Sequence, residues 1–170
     1  GLIAGMTEYV TWAVLSLHRG MPAYLARQRR GLWQEDPVPR AADRRVGVMG
    51  LGELGRAAAA RLALFGFGVR GWSRTQRTLP GVACFAGSDR LSSFVSECDI
   101  LVCLLPLTQE TRGLLDAALF AALPRGASVV NAGRGLAGGL LSSDERAWKE
   151  LYALNVLGPG APTITGTDLA

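Results

Sequence analysis

Three glycines, Gly50, Gly52 and Gly55, follow directly on the apolar run Val46–Met49 and precede an alanine-rich stretch, Ala57–Ala60. That order suits a chain that leaves a strand, turns tightly and enters a helix. Gly50 permits the turn, Gly52 lets the backbone approach a pyrophosphate, and Gly55 lets the helix pack close to the strand. With Leu51 inside the turn, the helix opening at Glu53 and Leu54 aims unpaired N–H groups and its positive dipole end at the phosphates. Glycine-rich turns also occur in methyltransferases and as plain structural turns. The strand before this one, the helix after it and a further strand beyond favour a dinucleotide.

The end of that further strand chooses between nucleotides. An acidic side chain there commonly bonds the ribose hydroxyls of NAD. Here the segment reads Gly71, Trp72, Ser73, Arg74, Thr75, Gln76, Arg77, with no carboxylate. Ser73 can bond a phosphate oxygen, and Arg74 and Arg77 supply positive charge for a 2′-phosphate. The competing reading is a solvated basic loop. The expectation is NADP(H), with NAD(H) bound more weakly, and no metal site.

The elements that must position these groups follow from periodicity. From Arg45 onward short apolar runs (Val46–Met49, Phe67–Trp72, Val82–Phe85, Ile100–Leu105, Ala127–Val130) alternate with helical segments near Glu53–Phe65, Leu91–Glu97, Thr108–Leu114, Asp116–Leu123 and Ser143–Ala153. Strands separated by helices, two of them continuously apolar, predict an α/β, doubly wound parallel sheet of the Rossmann type covered on both faces. Residues 45–170 form this domain. Residues 1–44 form a helical arm and linker. In the arm Val10, Ala13, Val14, Leu17, Met21, Tyr24 and Leu25 recur at helical spacing from Thr7 to about Arg30, with a kink expected at Pro22. So long an apolar stripe packs either on the following domain or on a second copy, and a homodimer through this helix is expected.

Composition narrows the class. With 49% hydrophobic residues in 170 and a mean hydropathy of +0.22, the chain can bury a core. The net charge of +4 comes almost wholly from arginine, since Lys149 is the only lysine. No basic run interleaves with aromatics, which argues against nucleic acid as partner. The longest apolar run, Ile100–Leu107, is too short to span a bilayer, so no membrane partner is expected. Cys84, Cys98 and Cys103 form no CxxC pair and read as buried free thiols of a cytoplasmic protein. Gly1 opening into helical periodicity suggests an excerpt of a longer polypeptide.

Further motifs carry a family resemblance. The stretch Gly50–Gly55, the segment Trp72–Ser73–Arg74, the run from Leu104 through Leu105, Pro106, Leu107, Thr108, Gln109, Glu110, Thr111 and Arg112 to Gly113, and the run Asn131–Ala132–Gly133–Arg134–Gly135 occur in order. Together they resemble the nucleotide-binding domain of D-2-hydroxyacid dehydrogenases, of the glyoxylate/hydroxypyruvate reductase branch. The opening Gly5–Val10 is similar to that family's linker helix and dimerisation arm. The resemblance spans about residues 1 to 135. It implies reduction of a small 2-oxoacid to the 2-hydroxyacid. It places Leu105, Pro106 and Thr108 along the nicotinamide side of the cleft and adds Asn131, Ala132 and Gly133 to the cofactor site. It also makes Arg134 the catalytic arginine, pairing with the substrate carboxylate and polarising its carbonyl. Thr108 equally suits a helix N-cap, and Arg134 a structural salt bridge.

The resemblance also implies a histidine proton donor and a glutamate that orients it, both late in the domain. The single histidine, His18, lies on the arm, where a polar-face or interface role is expected. After Gly135 the likeness fades. Leu154–Leu157 and Thr163–Ala170 faintly match the two strands that would precede the pair, which sets Asp168 at the histidine's position and leaves Gly158–Gly160 without a glutamate. Asp144, Glu145 and Glu150 read as surface charges on a helix opened by a Ser142–Glu145 capping box. Two readings stay open: the cofactor domain of an NADP-dependent reductase, or a non-catalytic NADP-binding and dimerisation module.

Overall fold

The computed structural model describes residues 1–106 and 108–132. Five strands, β1 (Arg45–Met49), β2 (Gly68–Ser73), β3 (Ala83–Ala86), β4 (Ile100–Cys103) and β5 (Ser128–Asn131), form one sheet in the order β3-β2-β1-β4-β5. Every pair is parallel, with Val46 opposite Val69 and Ile100, and Leu101 opposite Val129. The strands lie within a residue or two of their expected places.

The alternation of side chains sorts the core into two layers. Val46 and Val48 of β1, Val69 of β2 and Ile100 and Val102 of β4 point to one face, covered by α3 (Glu53–Leu64) through Ala58, Ala59 and Leu62. Met49, Trp72, Leu101, Cys103 and Val129 point to the other, against Phe94 and Val95 of α4 (Leu91–Val95) and Leu119 of α5 (Ala117–Ala122). Ile100 through Leu104 are all buried, as strands covered on both faces require. Asp116 caps α5 by accepting from the Leu119 amide at 2.8 Å.

The arm departs from expectation in three ways. Its helix starts earlier and is broken rather than kinked, as α1 (Leu2–His18) and α2 (Met21–Arg29). The break falls at Gly20, whose φ of +66° continues no helix, while Pro22 sits harmlessly in the first turn of α2. The stripe also splits. Val10, Ala13 and Val14 are buried against the domain and share the core under α3, each valine gaining about 1.5–3 kcal/mol from full burial. Met21 and Leu25 remain exposed. Lastly, His18 does not lie on a polar face. It is 8% exposed, with its ring edge-on to Phe67 at 5.0 Å.

The segment Thr108–Leu114 is not a helix but a run of turns. The Thr108 and Thr111 hydroxyls bond each other and nearby backbone groups, offering the chain an alternative to the helical ladder. The expected helix Ser143–Ala153, its Ser142–Glu145 capping box, and the segments Leu154–Leu157 and Thr163–Ala170 lie outside the described residues. Among the described residues no helix is long and apolar enough to cross a membrane.

Candidate functional site at the carboxyl edge of the sheet

The order of the strands reverses direction at β1, where the chain runs outward to β2 and β3 and then returns on the other side to β4 and β5. A crevice opens beyond the carboxyl ends of strands at such a reversal. The glycine turn lies at that point. Gly50 has a φ of +97°, and its amide donates to the Trp72 carbonyl at 2.8 Å, tying the turn to the end of β2. At Gly55 a Cβ would stand 1.7 Å from the Gly50 carbonyl oxygen, so only glycine lets α3 start so close to β1. At Gly52 a Cβ would meet no protein atom within 4 Å. The absence of a side chain there serves nothing inside the protein; it leaves room for something outside it. Gly52 is the N-cap of α3 and no side chain caps it, so the first N–H groups, at Glu53 and Leu54, stay available for an anion.

The neighbouring residues divide into those that build the edge and those that face outward. Leu51 is buried over Gly71, so its backbone alone fronts the crevice. Trp72 is a core residue, with its indole N–H donating to the Gly87 carbonyl at 2.9 Å. The Ser73 hydroxyl donates to the Thr75 carbonyl at 2.8 Å, which shapes the turn that carries Arg74 and Arg77. Both arginines are exposed, and among the described residues neither forms a salt bridge.

Across the crevice the chain leaves β4 through half-buried Leu105 and exposed Pro106. The Leu104 amide donates to the Met49 carbonyl and the Ala132 amide to the Cys103 carbonyl, both at 2.9 Å, prolonging the ladders to the crevice wall. Beyond Pro106 the loop is braced on itself. The Thr111 hydroxyl accepts from the Thr108 amide and donates to the Pro106 carbonyl, and the Thr108 hydroxyl donates to Glu110 at 2.7 Å. That bond, and more distantly the charge of Arg74, hold the Glu110 carboxyl below its usual range. Glu110 and Thr111 also shape this edge, though the sequence marked them only as members of the Leu104–Gly113 run; a carboxylate and a hydroxyl beside a turn-forming Thr108 carry no signal of their own. Asn131 and Ala132 end β5 beside this loop. Gly133, Arg134 and Asp168 lie outside the described residues.

The expected residues from Gly50 to Thr108 therefore gather along one edge, and the described part of the Asn131 run joins them. His18 does not. It neighbours Phe67 and Arg44, which precede β2 and β1, so it sits at the opposite, amino edge of the sheet. Among the described residues no cluster of His, Cys, Asp and Glu could hold a metal ion. The three cysteines are free, with Cys98 and Cys103 buried and Cys84 half-buried. Burial pushes the Cys98 thiol up to about 12, so it is not a thiolate nucleophile.

Comparison with known proteins agrees with this geometry. The family model "D-isomer specific 2-hydroxyacid dehydrogenase, NAD binding domain" matches residues 11–138. A glyoxylate/hydroxypyruvate reductase A from Yersinia enterocolitica is 41% identical over 137 residues, which cover 79% of this chain and 43% of that protein. The crystal structure of a D-isomer specific 2-hydroxyacid dehydrogenase from Xanthobacter autotrophicus Py2, in complex with NADPH and MES, superposes with a TM-score of 0.77 at 48% identity, covering 78% of this chain and 55% of that one. An NADPH-dependent glyoxylate/hydroxypyruvate reductase from Sinorhizobium meliloti, in complex with NADP and sulfate, gives 0.72 at 44% identity over 76% of this chain and 42% of that one. The chain thus spans about half the length of the relatives it matches.

Proposed function

The chain belongs to the D-isomer specific 2-hydroxyacid dehydrogenase family, in its NAD binding domain, and from that premise we propose that it holds NADP(H) for the reduction of a small 2-oxoacid of the glyoxylate or hydroxypyruvate type to its 2-hydroxyacid. The observation that carries the cofactor reading is the carboxyl edge, where Gly52 opens onto free space and two exposed arginines stand without a salt bridge among the described residues. Under this reading Gly50, Gly52 and the backbone of Leu51, Glu53 and Leu54 take the pyrophosphate. Ser73, Arg74 and Arg77 take the 2′-phosphate, and Trp72 supports the strand end from the core. Leu105, Pro106, Thr108, Asn131, Ala132 and Gly133 line the rest of the cleft.

A reduced nicotinamide dinucleotide bound there would supply the hydride for the carbonyl carbon. The chain's own contribution to chemistry is Arg134, whose planar guanidinium can grip the substrate carboxylate with two parallel bonds and polarise the carbonyl. Delivering a proton to the resulting alkoxide needs a group that titrates near neutrality. His18 is at the wrong edge, and an ordinary Asp168 is already ionised at pH 7. This favours a second reading for the 170 residues taken alone: an NADP-binding and dimerisation module with negligible turnover. The arm supports the dimer, since Trp12, Met21, Leu25, Leu32 and Trp33 are exposed on α1, α2 and the segment after them, and Trp33 is 95% exposed. A cytoplasmic setting fits the free thiols.

The test has two arms. Titration with NADPH, NADH and S-adenosylmethionine reads the site; tighter binding of NADPH than NADH supports the reading, and equal affinity overturns it. NADPH oxidation with glyoxylate or hydroxypyruvate reads the chemistry. Turnover lost in Arg134→Met supports the catalytic assignment, turnover lost in Asp168→Asn shows that Asp168 is the acid, and turnover indifferent to both refutes the site.

A further inference from the structure

His18 ends α1, two residues before the break at Gly20 that separates the two helices of the arm. Its ring is 8% exposed and meets Phe67 edge-on at 5.0 Å and 87°. Among the described residues Nδ1 is buried with no hydrogen-bond partner, and so is Nε of Arg44. The Arg44 Nε can only donate. A neutral imidazole can leave Nδ1 without a proton, whereas an imidazolium carries one on both ring nitrogens and so buries an unpaired charged donor beside the Arg44 cation. The arm is therefore seated by a side chain whose neutral form suits its surroundings and whose charged form does not.

The electrostatics run the same way from every neighbouring element. From its own helix end the ring faces Arg19, and from the segment entering β1 it faces Arg44. Phe67, leading into β2, carries no charge. α1 also packs along α3 and touches β4 and β5. α2, which also packs on α1, brings Tyr24, Arg27 and Arg29, α3 brings Glu53, Arg56 and Arg61, and β4 brings Cys103; the charges that weigh on the ring are those of Arg44 and Arg19. The dipole at the end of α1 favours a cation there. Burial first, then Arg44 and Arg19, outweigh it and hold the His18 pKa below its ordinary 6.5.

We propose that His18 is a proton-operated latch at the end of α1: neutral, it keeps the last turn of α1 docked beside Phe67, and once charged next to Arg19 and Arg44 it leaves that seat and loosens that turn ahead of Gly20, while Val10 and Val14 stay in the core. The sign follows from linkage. A histidine whose docked pKa lies below the undocked value contributes no penalty above pH 6.5 and weakens docking as the pH falls below it. The inference rests on the packing of the arm and is independent of the cofactor reading.

Since His18 is the only histidine of the chain, its ring resonances need no assignment. A proton NMR titration of the 170-residue chain should place its midpoint below 6.5. Hydrogen exchange should show the amides of Leu17 and His18 losing protection relative to β1 and β4 between pH 7.5 and 5.5. At pH 5.5 an undocked histidine of ordinary pKa favours opening by at most about tenfold, which sets the upper bound of the loss. His18→Phe should abolish this pH dependence. Arg44→Gln, which leaves the histidine in place, should raise the midpoint. A midpoint at or above 6.5 overturns the proposal, as does a protection loss that persists in His18→Phe or a midpoint unmoved in Arg44→Gln.

Discussion

The two edges of the sheet use the same side chain, arginine, in opposite ways. At the amino edge Arg45 reaches Glu97 at 3.7 Å and Asp99 at 3.6 Å, and Arg70 contacts Glu97 at 2.8 Å while lying over the Phe85 ring. The Asp99 carboxylate also accepts from the Arg45 amide at 2.7 Å. At the carboxyl edge Arg74 and Arg77 have no such partner among the described residues, and the backbone beside them is bared by Gly52. An exposed arginine is hydrated and loses little by standing unpaired. What the difference teaches is that Arg45 and Arg70 are paired by carboxylates of the protein itself, whereas Arg74 and Arg77 are free to meet an anion under the proposed reading.

The largest effect expected on breaking this contrast comes from two alanines in one turn. Gly55→Ala forces a methyl onto the Gly50 carbonyl oxygen, and denaturant unfolding should register a loss near the upper end for overpacking, about 3 kcal/mol. Gly52→Ala has space for its methyl, so the same measurement should change by less than about 1 kcal/mol, while NADPH affinity falls at least roughly tenfold as the pyrophosphate is pushed off the backbone. If both variants lose stability and binding in parallel, Gly52 is merely structural. Next in size is Arg74→Asp. Losing a charge-assisted bond to a phosphate costs about 1.5–3 kcal/mol, so NADPH should weaken by roughly 10- to 100-fold with NADH little changed, checked by calorimetric titration of each. Smaller again is Glu97→Gln at the paired edge. Its partners are partly exposed, so unfolding should shift by about 1 kcal/mol or less, shrinking further in salt, with cofactor affinity untouched.

What was legible in the sequence is what local physics dictates. The strands were legible because apolar runs such as Ile100–Cys103 can be buried on both faces in few other ways, and the turn because Gly50, Gly52 and Gly55 each answer a separate steric demand. Three features were not. The break at Gly20 was hidden by Pro22, the louder signal, although proline is welcome in a first turn and only a glycine satisfies the left-handed residue before it. The turns at Thr108–Leu114 read as a helix because threonine caps helices and competes with them by the same hydroxyl bonds. His18 read as polar because burial of a neutral imidazole depends on Phe67 and Arg44, residues far from it in sequence and brought close only by the fold.

The finest test of the contrast concerns Glu110, the carboxylate that acts on Arg74 at the open edge. Glu110 is held by the Thr108 hydroxyl, and Arg74 acts on it across the crevice. No salt bridge joins the two, so in the absence of a ligand Arg74 is biased by a carboxylate but not neutralised by it. An arriving 2′-phosphate would meet attraction from Arg74 and repulsion from Glu110. Glu110→Gln keeps a hydrogen-bond acceptor for Thr108 and removes the repulsion. NADPH should then bind roughly two- to threefold tighter, while NADH, lacking the phosphate, stays the same; at high salt the gain should fade, since exposed charges so separated are screened within about 10 Å at 0.1 M. The pH dependence carries the opposite sign from that of His18. The Glu110 carboxyl titrates below its usual range, so its repulsion is present at neutral pH and is lost only as the carboxyl protonates in strongly acidic solution. Equal gains for both cofactors would mean that Glu110 shapes the loop through Thr108 rather than acting on Arg74.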